Sequence, residues 1–365
     1  MNLSGRFRSL LYQALFAVAL LIAMLVLAAP IIDNVRQGGA GFDVLWRPAN
    51  FNFGESLIPT GPSDTYGKAL LVAFANTLWV SFIACILATV LGVSIAIAGY
   101  SRLVILRRVV SVYVEVFRNT PLLLQLLLWY SVLQSLPSLR QAIQIGDVFI
   151  SQRGIALPSL SVSPQSQIVI SAGALALVLV SWLPALTRKP GPRKALWMIA
   201  LAVIVGAFLL GLSAEAPQLE GFNFRGGWRI SPEFLAMVIG ITLYSAAFIS
   251  EIVRSGIDAV PKGQWEASYA LGLGRLRCMH LVVLPQATRV SIPPLVSEYA
   301  GIVKNSSLAV AIGYPDLIWA SSTAITQTGQ AVQIVVIVMG LYLTVSTSIS
   351  IVLNVLNRRM MRRYD

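Results

Sequence analysis

The run Ala69-Leu70-Leu71-Val72-Ala73-Phe74-Ala75-Asn76-Thr77-Leu78-Trp79-Val80-Ser81-Phe82-Ile83-Ala84-Cys85-Ile86-Leu87-Ala88-Thr89-Val90-Leu91-Gly92-Val93-Ser94-Ile95-Ala96-Ile97-Ala98-Gly99 contains no charged residue. A helix rises about 1.5 Å per residue, so about 20 apolar residues cross a hydrocarbon layer about 30 Å thick. The run exceeds that length and reads as a membrane span.

Seven further apolar runs flank it, at about 11–32, 111–135, 168–187, 195–213, 232–253, 287–312 and 333–356. Across 365 residues, 56% are hydrophobic and 12% charged, against roughly 25% charged in a soluble domain. The sequence therefore predicts an all-α, polytopic membrane bundle of about eight transmembrane helices. The run 287–312 is the least apolar, holding Pro293, Pro294, Glu298, Lys304 and Asn305. The run 111–135 has a polar first half, and Arg102 to Phe117 is expected to lie along the membrane surface before the chain dives. The first run follows Arg6 and Arg8 and ends near Ala28-Ala29-Pro30, as a cleaved signal would. Its apolar stretch is long for a signal core, so an uncleaved anchor is expected.

A net charge of +12 would suggest nucleic acid in a soluble protein. Here the basic residues fall in short clusters between apolar runs, a topology signal rather than a ligand signal. The amino-terminal tail, 100–110, 188–194, 254–289 and the tail from Asn357 together hold eighteen Lys and Arg, and the opposite loops hold seven. Short loops rich in Lys and Arg stay cytoplasmic, so both termini are expected inside. The outer loops at about 33–67, 136–166 and 214–231, with Trp46 and Trp228, read as ordered caps or interface anchors rather than domains. The Phe51-Asn52-Phe53 echo in Phe222-Asn223-Phe224 is too short to mark a repeat.

Two cysteines and one histidine exclude a disulfide framework and argue against a Cys/His metal site. Cys85 reads as core filler and His280 as an interfacial loop residue. No Gly-rich loop ending in Lys-Ser or Lys-Thr occurs, so ATP is not bound here by that route.

The connection after the sixth run is long for so compact a chain: Glu251-Ile252-Val253-Arg254-Ser255-Gly256, then Val260-Pro261-Lys262-Gly263-Gln264-Trp265-Glu266-Ala267-Ser268-Tyr269-Ala270-Leu271-Gly272. Pro261 and Gly263 mark the start of a short helix, Gln264 through Leu271 are mostly good helix formers, and Gly272 can take a left-handed exit. A helix of about eight residues spans about 12 Å and is marginal by itself in water. It needs a surface to pack on. Docking to another chain and a surface-lying connector both satisfy that need.

Several motifs resemble one family. Glu266-Ala267-Ser268, Gly272, Val282 and Leu284-Pro285 stand at the spacing of the EAA loop of ABC importer permeases. Val260 through Ala267, Leu284-Pro285-Gln286-Ala287, Ile292-Pro293-Pro294-Leu295, Lys304-Asn305-Ser306-Ser307-Leu308, Asn76-Thr77-Leu78 and Glu115 through Gln125 are similar to the polar amino-acid uptake branch. Ser268 departs from the second Ala of the motif by a small-for-small change.

The resemblance implies a permease core of five helices with a MetI-like fold, an extra N-terminal helix and an inserted helix pair, as in the enlarged permeases of general L-amino-acid transporters. Residues 1–68 would then be the first helix and outer loop, 69–135 the first part of the core, 136–231 the insertion, and 232–365 the second part with a cytoplasmic coupling loop at 254–286. Gly263, Gln264, Trp265, Glu266, Ala267, Ser268, Ala270, Leu271, Gly272, Leu284 and Pro285 are implied as the ATPase-coupling set. The implied partners are two ATP-binding subunits carrying ATP and Mg, a second permease subunit, an outside amino-acid-binding protein and the bacterial inner membrane. Asymmetric enlargement points to a distinct second permease, with a second copy as the alternative. The chain itself would bind no cofactor and catalyse no reaction.

Charges at membrane depth usually face a cavity or partner. Glu298, Lys304 and Asn305 are candidates for a polar route taken by a zwitterion; locking of the bundle by Lys304 is the alternative. Arg118 and Gln125 are further pathway candidates, although Arg118 also reads as a surface ion pair with Glu115. Glu251 reads as a helix-end residue. A self-contained secondary transporter coupled through Glu298 and Lys304 is the rival function.

Overall fold

A computed structural model describes residues 42–162, 166, 168–174, 176, 198–204, 206, 212–221 and 223–361. The expected first span lies outside the described residues; the fourth is described only at 168–174 and 176, helical, and the fifth only at 198–204 and 206, helical, and at 212–213, in a strand. The chain forms two compact units: residues up to Leu127 together with those from Met237 onward, and Leu128–Ala236.

In the larger unit, α1 (Tyr66–Gly99) begins at Thr65, whose hydroxyl accepts from the Lys68 amide, and runs uninterrupted through the apolar stretch. Helices α2 (Val104–Asn119) and α3 (Leu122–Gln134) follow. The run 111–135 is thus not one straight span. Pro121 has no N–H to donate and pushes Thr120 out of helical geometry, to φ −102° and ψ 135°. Gln125 fastens the break, its Nε2 donating to Phe117 O at 3.1 Å and to Thr120 Oγ1 at 2.7 Å. On α2 the exposed residues Ile105, Val109, Val112 and Val116 recur on one face, while Arg107, Arg108, Ser111 and Glu115 occupy another. Such a two-faced helix suits the membrane surface. The 13-residue α3 is apolar but, at about 20 Å, is short of a full crossing.

Helix α4 (Pro232–Asp258) is long and apolar enough to cross a membrane, as is α9 (Ala331–Met361) over its residues to Val352. Between them lie α5 (Lys262–Ala270), α6 (Arg275–Cys278), a π turn (Met279–Val283), α7 (Leu284–Asn305), a 3-10 turn (Ser306–Ile312) and α8 (Leu317–Thr328). The helical path from Arg275 to Ile312 meets α8 at a 53° bend. The bend falls at 313–316, just beyond the seventh expected span. Along the path from Arg275, Pro285, Pro293 and Pro294 each remove a backbone donor, and the π turn lies just before the first of them.

The bend is locked by two polar residues of α1. Buried Asn76 donates through Nδ2 to Pro315 O at 3.1 Å and Glu55 O at 3.2 Å, and accepts from the Leu57 amide at 3.1 Å. Thr77 Oγ1 accepts from the Leu317 amide at 3.0 Å, and Asp316 caps α8 by accepting from the Trp319 amide at 2.8 Å. Asn76→Ala leaves Pro315 O and the Leu57 amide without these partners. An unmade hydrogen bond of this kind costs about 1–3 kcal/mol. A lower melting temperature of the detergent-solubilised protein is the expected result, and an unchanged one contradicts the lock.

The core around this end joins Val44, Tyr66, Leu70, Leu317, Ala320 and Ile334, with the Phe51 ring edge-on and the Phe53 ring tilted to Trp319, their centres within 5.8 Å of it. At the far end of α1, the phenol of Tyr100 donates to Asp258 Oδ1 at 2.6 Å, and Arg275 donates to Tyr100 O at 3.0 Å. Tyr100, Asp258 and Arg275 thus bring the ends of α1, α4 and the start of α6 together at one end of the unit.

In the smaller unit the expected loops contain short strands. β1 (Ile143–Ile145), β2 (Val148–Ser151), β3 (Gly154–Leu157) and β8 (Trp228–Ile230) form an antiparallel sheet in that order, with two-residue turns at Gly146-Asp147 and Gln152-Arg153. β4 (Ser159–Val162) pairs with β5 (Leu212–Glu215), and β6 (Gln218–Glu220) with β7 (Asn223–Arg225). In sequence, β4 and β5 bracket the helical residues 168–174 and 198–204. Phe149 and Phe224, 4.9 Å apart, link two of these sheets.

Candidate functional site

Helix α5 is nine residues long and ends in a doubly bonded cap. Gly272 has φ +75°, a conformation that side chains with a Cβ rarely adopt. It lets the Gly272 amide donate to Tyr269 O at 2.9 Å and the Leu273 amide to Ser268 O at 3.1 Å. Two carbonyls that would otherwise lack partners are satisfied, which stabilises a helix too short to persist alone.

Its support comes from one side. The α5 helix packs on α6 and the π turn, with Ser268 buried and Trp265 half-buried. Ser268 Oγ donates to Gln264 O at 2.6 Å, and Gln286 Nε2 donates to Gln264 Oε1 at 3.3 Å, tying α5 to the base of α7. Leu284 and Pro285, half-buried, form that base. Gly263, Gln264, Glu266, Ala267, Ala270, Leu271 and Gly272 are exposed, and a Cβ built on either glycine meets nothing. Leu271 is 81% and Leu276 86% exposed, with Tyr269 and Leu281 nearby in sequence and also exposed. An ordered helix with one anchored face and one open apolar face suits docking rather than internal support.

Within the last turns of α4, Arg254 lies 3.8 Å from both Glu251 and Asp258, and Asp258 receives the Tyr100 phenol. Burial, and then the nearby Asp258 carboxylate, raise Tyr100 well above the ordinary phenol value, so it keeps its proton and donates at neutral pH.

The membrane-depth candidates are not brought together. Arg118 pairs with Glu251 at 3.4 Å, not with Glu115, and its guanidinium lies 5.3 Å from the Phe248 ring centre. The long-range partner on α4 wins over the neighbour on the same helix. Gln125 closes the α2–α3 break, as described. Glu298 is half-buried beside Ser245, within electrostatic reach of Cys85 and Tyr244. Lys304 is exposed, and Asn305 starts the 3-10 turn without a side-chain cap bond. Among the described residues neither Glu298 nor Lys304 joins an ion pair. No group of three or more His, Cys, Asp or Glu among the described residues is placed to hold a metal.

Sequence reasoning did not single out Tyr100, Asp258 or the Arg118–Glu251 pairing, because each joins elements far apart in the chain. Asn76 and Thr77 did carry a signal, two polar residues inside an apolar run.

Residues 88–362 match the family model described as the inner membrane component of binding-protein-dependent transport systems. The chain belongs to this family. As a binding-protein-dependent permease it is a transport subunit, and its α5 segment lies inside the matched region. The putative amino-acid ABC transporter permease protein YhdX of Escherichia coli (strain K12) is 41% identical over 97% of this chain and 94% of its own length. The general L-amino acid transport system permease protein AapQ of Rhizobium johnstonii is 38% identical over 97% and 92%. The glutamate/glutamine/aspartate/asparagine transport system permease protein BztB of Rhodobacter capsulatus is 35% identical over 97% and 93%. These matches take in the segment between α3 and α4 as well as the permease core. A crystal structure of an amino acid ABC transporter with histidines aligns with a TM-score of 0.51 at 23% identity, over 80% of this chain and 95% of that one. The permease therefore shares that fold.

Proposed function

We propose that this permease is one membrane subunit of an ATP-driven importer of polar L-amino acids in the bacterial inner membrane. The observation that carries the reading is α5, built and capped as a rigid helix yet exposed along one face. Two ATP-binding chains, which hold ATP and Mg, dock on Glu266, Ala267, Ala270 and Leu271, with Gly263 and Gly272 giving close approach at either end. Gln264, Trp265, Ser268, Leu284 and Pro285 hold the helix against its own chain. Closure of the ATPase pair moves α5 as a unit, since a short packed helix is displaced more easily than deformed. The basic end lies in the cytoplasm with both termini.

A second permease subunit, distinct from this one, completes the route. Lys304, Asn305 and Glu298 border it, and an outside binding protein delivers the amino acid. The relatives named for amino-acid transport at 35–41% identity support the substrate class.

The test is reconstitution in liposomes with the partner permease and binding protein, with and without the ATP-binding chains. Uptake of labelled L-glutamate or L-glutamine is expected only with ATP and the ATP-binding chains present. Uptake by the permease alone, driven by an ion gradient, would establish the secondary-transporter reading instead.

A further inference from the structure

Between α1, α2 and α4, at the end of the unit that carries α5, lies a cavity of about 450 Å³. Ile95, Ala96 and Gly99 give it an apolar wall, and charged residues face that wall. Glu251 stands between two guanidinium groups, 3.4 Å from Arg118 Nη1 and 3.8 Å from Arg254 Nη1. A close guanidinium–carboxylate bond is about 2.7–2.9 Å long and often bidentate. Neither pair reaches that geometry, so most of the five donors on each fork are left for other acceptors.

Stability does not explain the cluster well. The Arg118, Glu251 and Arg254 side chains are 41%, 35% and 56% exposed, and open pairs of this kind contribute about 0–1 kcal/mol. Phe248 meanwhile holds the Arg118 plane from one side. With Glu115 the cavity presents two cations and two anions. A simple anion would meet repulsion from the carboxylates, and a simple cation from the guanidinium groups. A small molecule with a carboxylate and an ammonium a few ångströms apart satisfies both signs at once.

We propose that this cavity binds a free α-amino acid, its carboxylate on the Arg118 fork and its ammonium on Glu251. The proposal deepens the importer reading and rests on it for the substrate class, while placing a ligand site within this chain on the ATPase-facing side. Arg254 belongs to the cavity wall and also to the Asp258–Tyr100–Arg275 contacts that lead to α6 and α5. Occupancy is thereby sensed next to the coupling helix.

The full-length chain, purified in detergent without binding protein or nucleotide, is titrated calorimetrically with L-alanine, propionate and propylamine. L-alanine is expected to bind in the millimolar range, and propionate and propylamine more than tenfold more weakly. Arg118→Gln and Glu251→Gln should each weaken L-alanine more than tenfold, and Arg118→Lys, which keeps charge but not the fork, by less. If the variants do not fold, protection of wild-type Arg118 from phenylglyoxal by L-alanine, and not by propionate, reads the same contact. Equal binding of propionate, absence of L-alanine binding or of protection, or unaltered affinity in both Gln variants overturns the proposal. None of these readouts requires ATP-driven uptake, so failure of the importer reading is separately visible.

Discussion

Glu266→Lys is expected to abolish ATP-dependent uptake while leaving the permease in the membrane at normal abundance. Glu266 is exposed on α5 and joins no ion pair among the described residues. A surface change of this type shifts stability by about 0.5 kcal/mol at most. Any large loss must then arise at a surface contacted by another chain, where a reversed charge costs several kcal/mol. Gly272→Val should give the same phenotype by a different route. A β-branched residue at φ +75° stores about 1–3 kcal/mol of strain, and relief of that strain breaks the two cap bonds at the end of α5. Uptake into proteoliposomes, co-purification of the ATP-binding chains and membrane content are the three measurements. Wild-type transport in both variants would refute docking through α5.

Gly256→Leu is expected to act oppositely, removing the protein rather than its coupling. The α4 and α7 backbones approach closely there: a Cβ on Gly256 would run into Ser291 Oγ and lie 2.8 Å from Ala287 O. Ser291 Oγ itself donates to Ile252 O, so it cannot turn away without losing a bond. Overpacking at such a crossing costs about 3 kcal/mol or more when backbone must shift. Membrane content and melting temperature should both fall sharply, and normal values would show that the crossing yields without cost. Together the two substitutions separate an effect at α5 from an effect at the α4–α7 crossing.

The long helix α1 and the short helix α5 were legible because their signals are local. Uncharged length marks α1, the positive charges sort the two ends, and Pro261 and Gly272 bracket α5 within a few residues. The straightness of the spans was not legible. A proline such as Pro121 or Pro293 announces missing backbone bonds, but whether the helix breaks or bends depends on what refills the gap. Gln125 stabilises a full break between α2 and α3, whereas α7 continues through Pro293 and Pro294. The short strands of the smaller unit were hidden by length, since three or four residues carry little periodic signal. Arg118 illustrates the remaining limit. Glu115 was its nearest acid in sequence, yet folding offers Glu251 from another helix.

The proline pair in α7 has a mechanical corollary. Pro293 and Pro294 cannot donate to the carbonyls of Arg289 and Val290, so the rod has a compliant joint about a quarter of the way from its Gln286 foot to the corner locked by Asn76. Force delivered at the foot meets a clamped far end, and a beam held in this way flexes at its weakest point instead of sliding.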